Sequence, residues 1–205
     1  MAATPAAVKV AYEHGEIGKN LLDNWYFIGG GSQQGGSQLP INQRGQTIYS
    51  GTVFGIDRWH SSSSAITVEV ITGGITITCL SSVQNGDRLL RQRFDNYPNG
   101  VPCTASVLVT AVNGSFGISF GSKDTADNRI ELNGIASAGL YTVTGTLDGV
   151  TDGMVSINAD QNGAASITIS AIKFEIGSEQ TLCKQTGSMY YIREIPNYTM
   201  ELLRC

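Results

Sequence analysis

The sequence predicts an all-β fold, an antiparallel β-sandwich or jelly roll with one short helix at each end. Apolar and polar residues alternate in short runs such as Ile66-Thr67-Val68-Glu69-Val70, the period of a strand with one buried face. Such runs recur every 8 to 14 residues, roughly the spacing of a sandwich, with turns rather than helices between them. Gly, which suits tight turns, occurs 25 times.

The chain divides into three predicted parts. Residues 1–19 form an N-terminal helix and linker, residues 20–177 form the sandwich, and residues 178–205 form a C-terminal extension. Within the extension, the apolar and aromatic residues 190–192 predict one short strand.

Capping residues place the two helices. The first covers residues 4–14, because Thr4 can cap it, Pro5 suits its first turn and Gly15 suits its end. The second begins after Pro196 and is capped by Asn197.

Turn residues and a change of phase predict details of the sandwich. Gly73-Gly74 and Asn113-Gly114 each lie between apolar runs and predict two hairpins. In the last long strand Ile167 and Ile169 have one parity, whereas Ile172 and the apolar residues after it have the other. We therefore expect a bulge or break near Ser170-Ala171, because otherwise the second half would turn its apolar side to solvent.

The charge distribution argues against nucleic acid and membranes as partners. The chain has 13 basic and 17 acidic residues and a net charge of −4. Arg88, Arg91 and Arg93 come closest to a basic cluster, but they alternate with apolar residues and are expected to decorate one strand. No apolar run approaches the roughly 20 residues that span a bilayer.

The four cysteines predict neither zinc binding nor a disulfide framework. They are scattered along the chain, at Cys79, Cys103, Cys183 and Cys205, with no close pair and no nearby His. A chain of this length does not need disulfides, so we expect reduced thiols, as in a protein that folds in a cytoplasm.

No residue pattern predicts catalysis. The two histidines, His14 and His60, are not part of any nucleophile motif. Glycoside hydrolysis needs two carboxylates in one cleft. Six candidates exist, and nothing in the sequence pairs them: Asp57, Glu69, Asp87, Asp95, Glu131 and Glu175.

No cofactor is expected, although a structural calcium ion stays open. The segments 123–128 and 148–153 each place Asp residues in a loop, where they could bind calcium or simply form turns.

Sugar binding requires exposed aromatic rings beside polar side chains. Tyr97 lies in a polar loop, and Asp95, Asn96 and Asn99 could supply hydrogen bonds beside it. Trp59 is a further candidate, although a Trp at a strand start more often fills the core.

Three motifs carry a resemblance to a known family. Asn20-Leu21-Leu22-Asp23-Asn24, Asn42-Gln43-Arg44-Gly45 and Asp57-Arg58-Trp59 resemble the opening of the receptor-binding, jelly-roll-like domain at the C-terminus of bacteriophage and prophage tail fibres. The segment 3–12 is similar to a short repeat of the fibre shaft.

This resemblance implies a homotrimer at the end of a tail-fibre shaft that attaches to a bacterial surface polysaccharide. The protein would belong to the virion and be made in the host cytoplasm. The resemblance also implies that Trp25 and Phe27 pair with the closing strand at 172–176, and we expect Arg44 and Arg58 to hold this opening against the sandwich. Two alternatives stay open: a polysaccharide-degrading tip and a purely structural tail or baseplate module.

Overall fold

The computed structural model describes residues 20–28, 40–94, 98–122, 128–194, 196, 199 and 202–203. Thirteen strands lie in this part of the chain: β1 (Ile48–Ser50), β2 (His60–Ser61), β3 (Ile66–Ile71), β4 (Gly74–Cys79), β5 (Arg88–Phe94), β6 (Pro102–Asn113), β7 (Phe116–Ser122), β8 (Arg129–Ile135), β9 (Gly139–Thr146), β10 (Gly153–Ala159), β11 (Ala165–Ile176), β12 (Cys183–Thr186) and β13 (Met189–Ile192).

The strands form two main antiparallel sheets, which confirms the predicted sandwich. One sheet has the order β1-β3-β4-β11-β6-β9, the other has the order β2-β5-β10-β7-β8, and β12 and β13 form a separate hairpin. The chain changes sheet at most connections after β5, so consecutive strands face each other across the core as in a jelly roll.

Neither predicted helix is seen as an element of the described structure. The N-terminal helix over 4–14 lies outside the described residues. Of the C-terminal helix only Thr199, Leu202 and Leu203 are described, with helical backbone geometry.

Large apolar side chains from both sheets fill the space between them. Phe174 of β11 lies 5.4 Å, ring centre to ring centre, from Phe94 of β5 and equally far from Phe120 of β7. All three are buried, and burial of such a ring stabilises the fold by about 1.5–3 kcal/mol.

One of the two predicted hairpins is confirmed and the other is wrong. Ile71 pairs with Gly74, so β3 and β4 form a hairpin whose Gly73 has a φ of 92°. Asn113-Gly114 instead connects β6 of one sheet to β7 of the other. This crossing is close-packed, because a Cβ on Gly114 would lie 2.8 Å from Nε2 of Gln161. A short Asn-Gly turn fits a hairpin as well as a crossing between two sheets, so the sequence could not distinguish these two connections.

The predicted irregularity in β11 is confirmed. Its register with β6 shifts between Thr168 and Ile169 and again between Ile169 and Ala171. Ser170 is displaced at this point, and its hydroxyl donates to the carbonyl of Gly73 at 2.6 Å. The shift keeps the apolar residues on both sides of it in the core.

The opening segment pairs with β11 as expected. Asn20 forms an antiparallel bridge with Glu175, and Tyr26 forms one with Ala171. The amide of Phe27 donates to the carbonyl of Ser170 at 2.9 Å. The first half of β11 pairs with β4, so the opening segment extends the same edge of the strand.

A buried ion pair joins the C-terminal hairpin to the sandwich. Lys173 and Glu175 of β11 are both buried, and Nζ of Lys173 lies 3.4 Å from Oε2 of Glu175. The Lys173 ammonium donates to the hydroxyl of Thr181 at 2.6 Å and lies 3.6 Å from the carboxylate of Glu194. The predicted strand at 190–192 exists as part of β13, which pairs with β12.

Cys79, Cys103 and Cys183 are buried free thiols, as expected, and Cys205 lies outside the described residues. Burial raises the pKa of Cys79 and Cys183 to about 11 and that of Cys103 to about 12. In the part of the chain that is described, no helix is long and apolar enough to cross a membrane.

Candidate functional site

The outer surface of the five-stranded sheet carries a continuous row of polar side chains. His60 of β2 pairs with Arg91 of β5, Arg91 pairs with Ser156 of β10, Ser156 pairs with Ser119 of β7, and Ser119 pairs with Glu131 of β8. Residues paired across neighbouring strands point to the same side of a sheet. We call this outer surface of β2, β5, β10, β7 and β8 the arginine face.

A bulge brings a third arginine of β5 to the arginine face. Arg91 and Arg93 lie two residues apart and therefore share a face, but Arg88 has the opposite parity. The register of β5 shifts so that Ile157 pairs with Leu90 and the next residue, Asn158, pairs with Arg88. The shift places Arg88 on the same side as the other two.

A cavity of about 650 Å³ occupies one end of the arginine face. Its lining residues are Arg44, Phe54, Asp57, Arg58, His60, Arg91 and Arg93. The side chain of Phe54 is 58% exposed, and its ring contacts that of His60 edge to face with 4.6 Å between the ring centres. The cavity thus combines one exposed aromatic ring with four guanidinium groups.

The segment before β2 positions Phe54 and His60 on one side and Trp59 on the other. Phe54 and His60 form an antiparallel bridge, so their side chains share the outer face. Trp59 has the opposite parity and is 0% exposed, and its indole Nε1 donates to the carbonyl of Asn24 at 3.0 Å. The prediction that Trp59 contacts a ligand is therefore wrong, because both faces of its ring are packed in the core.

The motifs at 20–24, 42–45 and 57–59 form and support the wall of the cavity. The amide nitrogen of buried Asn24 donates to the carbonyls of Ile41 and Asp57, each at 2.8 Å. Arg58, which follows Asp57 in the chain, has a φ of 71° and donates from its Nε to the carboxylate of Asp23 at 3.1 Å.

The guanidinium of Arg44 donates to the carbonyls of Phe54 and Gly55. Arg58 thus joins the segment at 57–59 to the segment at 20–24, and Arg44 fixes the connection before β2; neither arginine contacts a strand of the two main sheets through these hydrogen bonds.

Arg91 and His60 line the cavity side by side and have hydrogen-bonding groups without a partner among the described residues. Arg91 is half-buried and makes no hydrogen bond or ion pair with any described residue. Nδ1 of His60 is buried without a hydrogen-bond partner. Desolvation, with the nearby Arg91 charge, lowers the pKa of His60, which favours its neutral form. Arg93, by contrast, lies 3.6 Å from the carboxylate of Asp152.

A second recess of about 240 Å³ lies at the other end of the arginine face. Its lining includes Arg88, Gly117, Arg129, Glu131 and Asn158. Buried Ser156 and Ser119 lie between the two cavities.

The other predicted ligand residues are not brought together by the described structure. Asp95, Asn96 and Tyr97 lie outside the described residues, in the connection that follows Phe94 of β5. The Asn99 amide group donates to the carbonyl of Val150 and accepts from its N–H, each at 3.0 Å. Asn99 thus fixes a loop to its neighbour.

Three of the six candidate carboxylates, Glu69, Glu131 and Glu175, lie in separate places. Glu69 lies on the outer face of the six-stranded sheet and Glu131 on that of the five-stranded sheet, so these two cannot flank one glycosidic bond. Glu175 is buried against Lys173. No group of three or more His, Cys, Asp and Glu side chains that could bind a metal ion occurs among the described residues, which include the loop 148–153.

Sequence reasoning missed Phe54, His60 and Arg91 as one site. The parity of Arg91 and Arg93 on β5 was visible, but Phe54 and His60 come from an irregular segment whose pairing no sequence period reveals.

The comparisons with known proteins identify no family. No family model matches the chain, and no curated protein matches it. Solved structures with a similar strand arrangement include a putative sugar binding protein from Bacteroides thetaiotaomicron (10% identity, TM-score 0.44, 78% of this chain and all of that one). A second is the structure titled BiXyn10A CBM1, without ligand (10% identity, TM-score 0.44, 77% of this chain and 98% of that one).

A third is the enzymatically active domain of tailspike protein 4 from bacteriophage CBA120 (14% identity, TM-score 0.38, 77% of this chain and 21% of that one). Similarity at these TM-scores does not indicate which ligand this chain binds. The chemistry of the arginine face does.

Proposed function

We propose that this protein is a non-catalytic, glycan-binding tip of a bacteriophage or prophage tail fibre. The observation that supports the glycan-binding part is the 650 Å³ cavity, in which exposed Phe54 stands beside several guanidinium groups. A sugar ring has an apolar C–H side and a rim of hydroxyls. Phe54 can pack against the first, while the arginine guanidinium groups bind the second.

The two cavities at opposite ends of the arginine face would let several sugar units bind in line. The second recess offers Asn158 and Glu131 as further hydrogen-bonding partners. A polysaccharide could lie across the strands from one cavity to the other. The sequence places Asp95, Asn96 and Tyr97 directly after β5, which adjoins the first cavity, and we propose these residues as ligand contacts.

The tail-fibre part of the proposal rests on the motifs at 20–24, 42–45 and 57–59. In the structure these motifs support the wall of the cavity. We propose that three copies assemble at the end of a fibre shaft in the virion. Three co-directed weak sites would then raise avidity without new contacts.

A binding array of bacterial surface polysaccharides tests the glycan site. The variant Phe54→Ala is expected to bind its glycan roughly three- to tenfold more weakly, because one stacked ring is lost. Tyr191→Ala is the matched control, since Tyr191 is 53% exposed but lies on the C-terminal hairpin.

The array also separates the alternatives. A blank array with a protein shown by its solution mass to be a trimer would favour a purely structural tail module. Shortening of a bound polysaccharide would favour a degrading tip. A stable monomer would contradict the trimer.

A further inference from the structure

We propose that the glycan bound at the arginine face is acidic, and that its anionic group binds the guanidinium of Arg91. This inference rests on the proposed glycan-binding function and adds the chemical class of the ligand.

The cavity keeps a positive charge in an otherwise acidic protein. The chain carries a net charge of −4, yet four of the side chains that line the cavity are arginines and one is a carboxylate, Asp57. Arg58 and Arg93 have carboxylate partners, Asp23 and Asp152.

Arg44 donates to the backbone carbonyls of Phe54 and Gly55 and has no carboxylate partner among the described residues, so its charge and that of Arg91 exceed the charge of Asp57. Arg44 is exposed whereas Arg91 is half-buried, so solvent screens the charge of Arg91 less.

Arg91 is the guanidinium best placed for a ligand. It is half-buried between His60 and Ser156 in the polar row and has no acceptor among the described residues. A partly desolvated cation without an acceptor is unfavourable, and an anion that binds there supplies the missing partner. A guanidinium offers two parallel N–H groups to a carboxylate, a phosphate or a sulfate.

His60 and Phe54 fit the rest of an acidic sugar. His60 pairs with Arg91 across β2 and β5, so its half-buried ring lies beside the guanidinium and can contact the sugar next to the anionic group. Phe54 contacts the His60 ring and can cover the apolar side of the same sugar. One acidic sugar unit can therefore contact three neighbouring side chains.

Nucleic acid fits this surface less well. A phosphate chain needs a series of available cations, but Arg58 and Arg93 already face carboxylates. Asp57 and Glu131 would also lie against the chain at the two ends of the face.

The test uses the complete chain and an array of bacterial surface polysaccharides printed in parallel forms. One form is native, one has its carboxyl groups reduced to alcohols, one is dephosphorylated and one is desulfated. The proposal expects binding to acidic glycans that weakens in one neutralised form, and that form identifies a carboxylate, a phosphate or a sulfate as the source of the charge. Single-stranded DNA is included as a separate probe.

The decisive variants are Arg91→Gln and Arg193→Gln. Both remove one positive charge, but Arg193 is an exposed residue beyond β13 and is remote in the chain from the arginine face. Arg91→Gln is expected to lose about 10- to 100-fold in affinity for the acidic glycan, and Arg193→Gln to stay within about twofold. Arg91→Lys keeps the charge without the two-pronged geometry and should lose less than Arg91→Gln.

Two results would overturn the proposal of an acidic ligand while leaving glycan binding intact. One is equal binding of native and neutralised glycans. The other is an Arg91→Gln variant that melts at the same temperature as the parent protein and binds acidic glycans equally well. DNA binding that depends on Arg91 and exceeds glycan binding would also overturn it. A blank array would instead overturn the proposed function, and this inference with it.

Discussion

Asn24 allows the sharpest test of how the opening motif supports the site. Its side chain is fully buried and makes three hydrogen bonds to the backbone of described residues: two donated to the carbonyls of Ile41 and Asp57, and one accepted from the N–H of Ile41 at 2.6 Å. Asn24 also has a φ of 50°, in the left-handed region that Asn tolerates better than Ala.

In Asn24→Ala the three bonds are lost, at about 1 kcal/mol each, and the left-handed backbone adds about 1 kcal/mol. We therefore expect a loss of about 4 kcal/mol, a large share of the 5–15 kcal/mol typical of a folded domain. For a chain of this size the melting temperature should fall by about 8–16 °C.

Urea unfolding and thermal melting of three variants measure this. Asn24→Gly loses the hydrogen bonds but removes the backbone penalty, so it should be about 1 kcal/mol more stable than Asn24→Ala. Asn85→Ala is the control, because Asn85 is exposed and its side chain makes no hydrogen bond among the described residues; we expect a change within about 0.5 kcal/mol. If Asn24→Ala unfolds within about 1 kcal/mol of the parent protein, the opening motif does not hold the cavity wall as described.

Two further perturbations test other parts of the fold. Lys173→Met leaves the carboxylate of Glu175 buried without its cation, so this variant should lose about 3–5 kcal/mol of unfolding free energy. The double variant Lys173→Met with Glu175→Gln should recover most of that loss. Denaturant unfolding measures both variants, and an equal loss in the two would contradict the pairing. The Cys103 thiol has its pKa raised by burial from 9.0 to about 12, so the unfolded chain ionises first as the pH rises. Its contribution to stability is complete below pH 9 and is lost between pH 9 and 12, by about 1.4 kcal/mol per pH unit. The free energy of unfolding should differ less between pH 8 and pH 10 in Cys103→Ala than in the parent protein. An unchanged pH dependence of stability in this variant would exclude the Cys103 thiol as its cause.

The strand content was predictable because it depends on local alternation. Runs such as Ile66-Thr67-Val68 have only one arrangement that buries the apolar side, and the change of phase at Ser170 required a bulge for the same reason. The connection at Asn113-Gly114 was not predictable, because the same two residues fit a hairpin and a crossing between sheets.

The candidate site was predictable only in part. Reasoning from aromatic residues selected Tyr97 and Trp59, and parity then placed Trp59 in the core because its neighbour His60 faces outward. Phe54 was missed because its exposure depends on a single bridge to His60 and not on any sequence period.

The sequence by itself determined that this protein is an antiparallel β-sandwich with an irregularity in β11 near Ser170. Both features follow from local alternation, whereas the pairing of the segment at 20–27 with β11 was expected only from the resemblance of its motifs. Only the tertiary structure decided which polar residues meet. Arg91, Ser156 and Glu131 come from strands far apart in the chain and form one row because of strand order and register, and a bulge in β5 adds Arg88 to their face. Strand order is set by the packing of the whole core, so no local pattern records it.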